Sequence, residues 1–146
     1  MHATAQPVSP SMQSAVQTTS VSKGALWTGR VLTTLIVLLL VLDAVMKFIQ
    51  PAPVLQACTQ LGIPVSVVST IGAILLVCTI LYAIPQTSIV GAILLTGYLG
   101  GAVLSNLRVG NPLFSHTLFP VFFGAVAWLA LYLRNPRLRA LIPFRT

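Results

Sequence analysis

The chain has 146 residues, 56% of them hydrophobic and 6% charged. Soluble domains carry about 25% charged residues, so this composition cannot cover a water-facing surface and excludes an ordinary soluble enzyme or binding module. The net charge of +7 does not point to nucleic acid, because the basic residues flank apolar runs instead of forming a stripe or patch.

Residues 1–22 are rich in Ser, Thr, Gln, Ala and Pro and show no hydrophobic periodicity. They cannot bury enough apolar surface to offset ordering, and the expectation is a disordered tail. A cleaved signal peptide is the rival reading. It fails because no basic region precedes the apolar run that follows, and that run is long enough to span.

Four apolar windows then follow, at about 25–48, 64–84, 87–106 and 113–133, each near the ~20 residues that cross a bilayer core as a helix. The expected fold is all-α: an integral membrane four-helix bundle with short loops over residues 23–146. Six basic residues, Lys23, Arg30, Arg134, Arg137, Arg139 and Arg145, flank the ends of the first and last spans. Only Lys47 and Arg108 fall at the opposite end. By the excess of Lys and Arg, both termini are expected in the cytoplasm and the protein in a bacterial inner membrane. The arginine-rich end is expected to meet anionic lipid headgroups.

The first span carries Asp43, the sole acidic residue of the chain. An ionisable group at membrane depth costs from ~2.5 kcal/mol upward at a helix centre, which makes it a functional candidate by default. Lys47 follows four residues later on the same helix face. Between the first two spans, Pro53 suits the start and Gly62 the end of a short helix lying on the membrane, with Val54, Leu55, Cys58 and Leu61 on one face. Cys58 and Cys78 lie at different depths and form no CxxC motif, so neither a disulfide nor thiol exchange is expected. Pro85 breaks the chain between the second and third spans, with Thr87 or Ser88 expected to cap the next helix.

The third span contains Gly97, Gly100 and Gly101, and Gly97 with Gly101 makes a GxxxG pair. Small residues at that spacing let helix backbones approach closely, here either to seal the bundle or to form a homodimer. Arg108 follows the span, and His116 lies in the first turn or two of the fourth. Asn106 and Asn111 suit loop caps. Topology brings Asp43, Lys47, Arg108 and His116 to a similar depth at the outer end. Two readings of that group stay open. In one, Asp43 pairs with Lys47 or Arg108 and pins the helices. In the other the four residues line a polar pocket, where a cation holds an anionic or carbonyl group and Asp43 or His116 moves a proton, which suits a quinone headgroup.

No GxSxG, phosphate-binding glycine loop, HExxH or second carboxylate is present, so hydrolytic and nucleotide chemistry are not expected of this chain alone. A metal site is not expected either, since the only other histidine is His2 in the tail. Tyr82, Tyr98, Trp128 and Tyr132 read as interface or packing aromatics.

The order of short motifs along the chain resembles the DoxX-like family of small bacterial membrane proteins. It runs Asp43-Ala44-Val45-Met46-Lys47-Phe48, Leu61-Gly62-Ile63-Pro64, Ile71-Gly72 and Gly100-Gly101-Ala102, then Asn106-Leu107-Arg108-Val109-Gly110. The resemblance covers about Leu26 to Pro143 and implies a four-helix membrane bundle. The family takes its name from similarity to a membrane subunit of a thiosulfate:quinone oxidoreductase. Many relatives carry a polar or acidic residue in the second span, where this chain has only Gly72-Ala73-Ile74-Leu75-Leu76-Val77. The reading adopted is an accessory, non-catalytic or small-lipophile-binding bundle. The alternatives are a quinone-linked oxidoreductase subunit, with redox-enzyme partners, and a small proton-coupled exporter.

Overall fold

A computed structural model describes residues 23–141, and the expected tail 1–22 lies outside the described residues. Those residues form helices joined by short turns, with no strand among them. We number the helices α1 (Lys23–Ile49), α2 (Ala52–Gln60), α3 (Val65–Ala83), α4 (Ser88–Arg108), α5 (Leu118–Arg134) and α6 (Pro136–Leu141). One π-helical turn, Leu113–Thr117, leads into α5. Four segments are long and apolar enough to cross a membrane: α1, α3, α4, and Leu113–Arg134 taken together. They fall within about two residues of the four windows read from the sequence.

The spans run alternately up and down. α1 packs on α3 and α5, and α4 closes the ring against the same two helices. Each buried stripe follows the helical period. In α1 it is Gly29, Thr33, Ile36, Leu40 and Ala44, spaced by three or four residues as one face of a helix requires. It meets Leu75, Cys78 and Tyr82 of α3, Ala92 and Leu95 of α4, and Ala127, Ala130 and Leu131 of α5. The remaining large apolar side chains point outward, with Leu38, Leu104 and Phe122 each more than 60% exposed. In water so much apolar surface would aggregate; against lipid tails it is the expected face.

The bundle is tight at one end and open at the other. All buried residues of α4, namely Ser88, Gly91, Ala92 and Leu95, lie in its first half. That half belongs to the arginine-bearing end. There Gly91 sits against the last turn of α3, so close that an added Cβ would lie 2.5 Å from Tyr82 Cα. The Tyr82 hydroxyl donates to Ala127 O at 2.8 Å, and Arg134 Nη2 donates to Tyr82 O at 2.6 Å, so α3 and α5 are tied where they end. The guanidinium of Arg134 also lies 5.2 Å from the centre of the Tyr82 ring, a cation–π distance. Arg139 folds α6 back by donating to Tyr132 O and Leu133 O, the orphan carbonyls at the end of α5.

Toward the other end α1 and α3 stay together, because Gly72 admits the Ala44 carbonyl and the Lys47 Cβ. There α4 contributes no buried residue beyond Leu95, so the space inside the ring is left open.

Two local expectations are corrected. Thr87 and Ser88 do not cap α4 with their side chains. Their hydroxyls donate instead to Leu81 O and Pro85 O, the carbonyls freed by the proline turn. The GxxxG pair does not seal the bundle: an added Cβ at Gly97, Gly100 or Gly101 meets nothing within 4 Å among the described residues. The close approaches fall at Gly29, Gly72 and Gly91 instead. Small residues permit proximity, and which of them are used depends on how the helices tilt.

Candidate functional site

The open end holds a cavity of about 740 Å³, within the 300–1,000 Å³ range of small-molecule sites. Its walls come from every span. Leu39, Leu40, Asp43 and Lys47 come from α1, and Val68, Ile71 and Ile74 from α3. Gly97, Tyr98, Gly101, Ala102 and Ser105 come from α4, and Phe119, Pro120 and Phe123 from α5. The short helix α2 covers the cavity with Val54, Ala57, Cys58 and Leu61.

The amphipathic face expected on α2 is therefore present, with Ala57 rather than Leu55 lining the cavity. Its position is set by its ends. Gln50 adopts φ 53°, an uncommon left-handed conformation for a residue with a side chain. That reverses the chain after α1, and the Gln50 side-chain amide donates to Ser69 Oγ at 2.9 Å. Pro53 falls in the first turn of α2, where a missing N–H costs nothing. At the far end Gly62 takes φ 70°, so the N–H of Gly62 and of Ile63 turn back to Thr59 O and Cys58 O.

Among the described residues, Asp43 and Lys47 are the only charged ones lining the cavity. Lys47 Nζ lies 2.6 Å from both Asp43 oxygens. The carboxylate side chain is 51% exposed and the lysine side chain 15%, so the carboxylate is the accessible member and the ammonium is tucked beneath it. The i, i+4 spacing on α1 is enough to form this pair without another helix. Both groups are neutralised in place, which is what low-polarity surroundings demand of a charge.

The other two members of the expected constellation do not join. Arg108 Nη2 donates to Leu61 O at 2.8 Å, from the end of α4 to the end of α2. It latches the covering helix and does not line the cavity. His116 is exposed and lies 2.7 Å from the Ser115 hydroxyl through Nδ1. Being on the same end of the bundle did not produce lateral convergence: neither Arg108 nor His116 lines the cavity. Asn106 and Asn111 do serve the loop: Asn111 Nδ2 donates to Asn106 Oδ1 at 2.7 Å, and Asn106 Nδ2 to Ala102 O at 2.9 Å.

Tyr98, Ser105, Phe119 and Phe123 are the lining residues that sequence reasoning did not assign to a site. Their signal lies in the third span, where Gly97, Gly101 and Ser105 recur every four residues. Such a stripe is as good a cavity wall as a packing seam. Cys58 and Cys78 are both free and buried.

A ring of four membrane-length helices, closed at one end and hollow at the other around a single ion pair, defines a multi-pass helical membrane bundle with an internal apolar cavity. The model of the DoxX-like family matches residues 31–130, and the chain belongs to that family. The matched region takes in all the cavity-lining residues and stops short of the arginine-bearing helix α6. No curated protein and no solved structure matches the chain.

Proposed function

We propose that this protein binds a small lipophilic molecule in the cavity, with the polar head of that molecule at the Asp43–Lys47 pair. The observation that carries the reading is the composition of the cavity: one ion pair set in a mostly apolar wall with few other polar groups, the usual make-up of a lipophile site. The protein then acts as an accessory or carrier bundle, and chemistry on the bound molecule belongs to a partner or cofactor. A proton-coupled exporter fits less well, because its carboxylate must be free to exchange a proton for a cation. Here Lys47 already occupies Asp43.

A second reading, a subunit of a quinone-linked oxidoreductase, uses the same site. In it Lys47 would hold a quinone carbonyl and Asp43 would serve its proton traffic, with Tyr98, Phe119 and Phe123 around the ring. Five cations, Lys23, Arg30, Arg134, Arg137 and Arg139, sit at the closed end against Lys47 and Arg108 at the other. That asymmetry supports a bacterial cytoplasmic membrane with the cavity end outward.

The test is native mass spectrometry of the protein extracted gently from its own membranes, beside a Gly101→Leu variant. Gly101 lines the cavity, and nothing lies within 4 Å of a Cβ added there, so a leucine at 101 takes up cavity space. A stoichiometric lipophile on the native protein, lost from the variant, supports the proposal, and a quinone in that role moves the second reading ahead. A protein equally bare in both forms overturns it. Alkylation of Cys58 by a membrane-impermeant reagent in intact cells, after Arg108→Gln loosens α2, reports the orientation.

A further inference from the structure

We propose that the cavity selects an uncharged lipophile whose head group both donates and accepts hydrogen bonds, with Tyr98 as a specificity residue beside the Asp43–Lys47 pair. This deepens the lipophile-binding reading and rests on it.

Asp43 is the only acidic residue of the chain, and it is held at 2.6 Å by Lys47 through both oxygens. No other charged residue among those described lines the cavity. Arg108 is spent on Leu61 O, and His116 stands against Ser115 on the exposed side. The net charge offered to a ligand is therefore zero. An anionic head would have to draw Lys47 from Asp43 and leave the carboxylate unpaired. A cationic head would compete with Lys47 for Asp43 and leave the ammonium of a lysine whose side chain is only 15% exposed without a counter-charge. Either way a charge is stranded in apolar surroundings, where breaking one member of a pair costs far more than the pair is worth.

An uncharged head breaks nothing. Each carboxylate oxygen has further lone pairs, and the ammonium has a further N–H beyond those pointed at Asp43. A hydroxyl or carbonyl can use these while the pair stays closed. Tyr98 adds the second contact. It lines the same cavity, and its hydroxyl has no hydrogen-bond partner among the described residues. The contrast is with Tyr82, whose hydroxyl is satisfied by Ala127 O. A phenol on a cavity wall that is left without a protein partner is available to donate and accept at once.

The experiment uses the full chain in phosphatidylcholine nanodiscs with a diazirine-bearing alkanol as photoprobe, the adducts being mapped by mass spectrometry. Competition is measured with an alkanol, an alkanoate and an alkylammonium of equal chain length, each corrected for its partition into protein-free discs. Labelling is expected on cavity residues, with the alkanol competing at least about ten-fold better than either ion. Tyr98→Phe keeps the ring and is expected to weaken alkanol competition about five-fold, the scale of one hydrogen bond. Lys47→Met is expected to turn the preference toward alkylammonium and Asp43→Asn toward alkanoate, a reversal that a purely structural role would not produce. Cavity labelling that is blind to head-group charge and unchanged in Tyr98→Phe overturns this inference while leaving lipophile binding in place. Labelling confined to lipid-facing positions and unaffected by Gly101→Leu overturns both.

Discussion

Gly91→Ala is the substitution that best tests how this bundle is held together. An Ala Cβ at 91 would lie 2.5 Å from Tyr82 Cα and 2.6 Å from Leu81 C, and closer still to Tyr82 N. These are backbone atoms of the last turn of α3, so no rotamer change relieves the overlap, and α4 must back away from α3. Overpacking of this kind costs about 1–3 kcal/mol, sometimes more. The loss of a glycine from a helix returns up to ~1 kcal/mol. The shift also disturbs Tyr82, whose hydroxyl and carbonyl anchor Ala127 and Arg134, which places the net loss at about 2 kcal/mol, after the glycine offset is taken from the upper part of the overpacking range. Gly97→Ala and Gly101→Ala meet nothing within 4 Å and should be neutral or more stable by up to ~1 kcal/mol. Unfolding of the three variants in mixed micelles, followed by circular dichroism against rising SDS, gives the comparison. If Gly97→Ala or Gly101→Ala proves more damaging than Gly91→Ala, the reasoning is refuted. The packing seam would then run through the GxxxG pair, against a second copy of the chain.

Asp43→Asn should destabilise the bundle, and Lys47→Gln added to it should recover about 1 kcal/mol. Adding Arg108→Gln should recover nothing, because Arg108 is bound to Leu61 O and not to Asp43; a double-mutant cycle in the same SDS assay separates the two. Thr117 carries a buried hydroxyl without a partner among the described residues, so Thr117→Val, which keeps the shape, should raise stability by about 1 kcal/mol. A loss on that change would mean the hydroxyl is satisfied. Gly62→Ala forces a side chain into φ 70°, at about 1–2 kcal/mol, and sets its Cβ 2.6 Å from Arg108 Nη2. Alkylation of Cys58, buried on the cavity side of α2, should speed up in Gly62→Ala and in Arg108→Gln. Cys78 in the core serves as the unchanged control, and equal rates in variant and native protein would argue that α2 is held by other contacts.

Much of the architecture is legible along the chain because its cause is one-dimensional. A helix that satisfies its own backbone needs only about twenty apolar residues in a row to be stable in lipid. Prolines and glycines at 53, 62 and 85 then place the turns. The closeness of Asp43 and Lys47 is legible for the same reason, since both sit one turn apart on a single helix. What depended on the lateral arrangement of helices was not legible. Arg108 and His116 are expected at the depth of Asp43, but their hydrogen bonds go to Leu61 O and Ser115. Tyr98 reads as an interface or packing aromatic; it packs against the core and also lines the cavity, and the second role was not legible. The GxxxG pair of α4 borders empty space, while Gly29, Gly72 and Gly91, outside that motif, carry the close contacts. Hydropathy and helical spacing act within a segment, so the apolar surroundings, the number of spans and the placing of Lys47 one turn from Asp43 could be read along the chain. Which cation Asp43 takes, which glycines touch and that a cavity exists at all could not. Those outcomes depend on the tilt and rotation of each helix against its neighbours, which many weak side-chain contacts fix jointly and no single segment encodes.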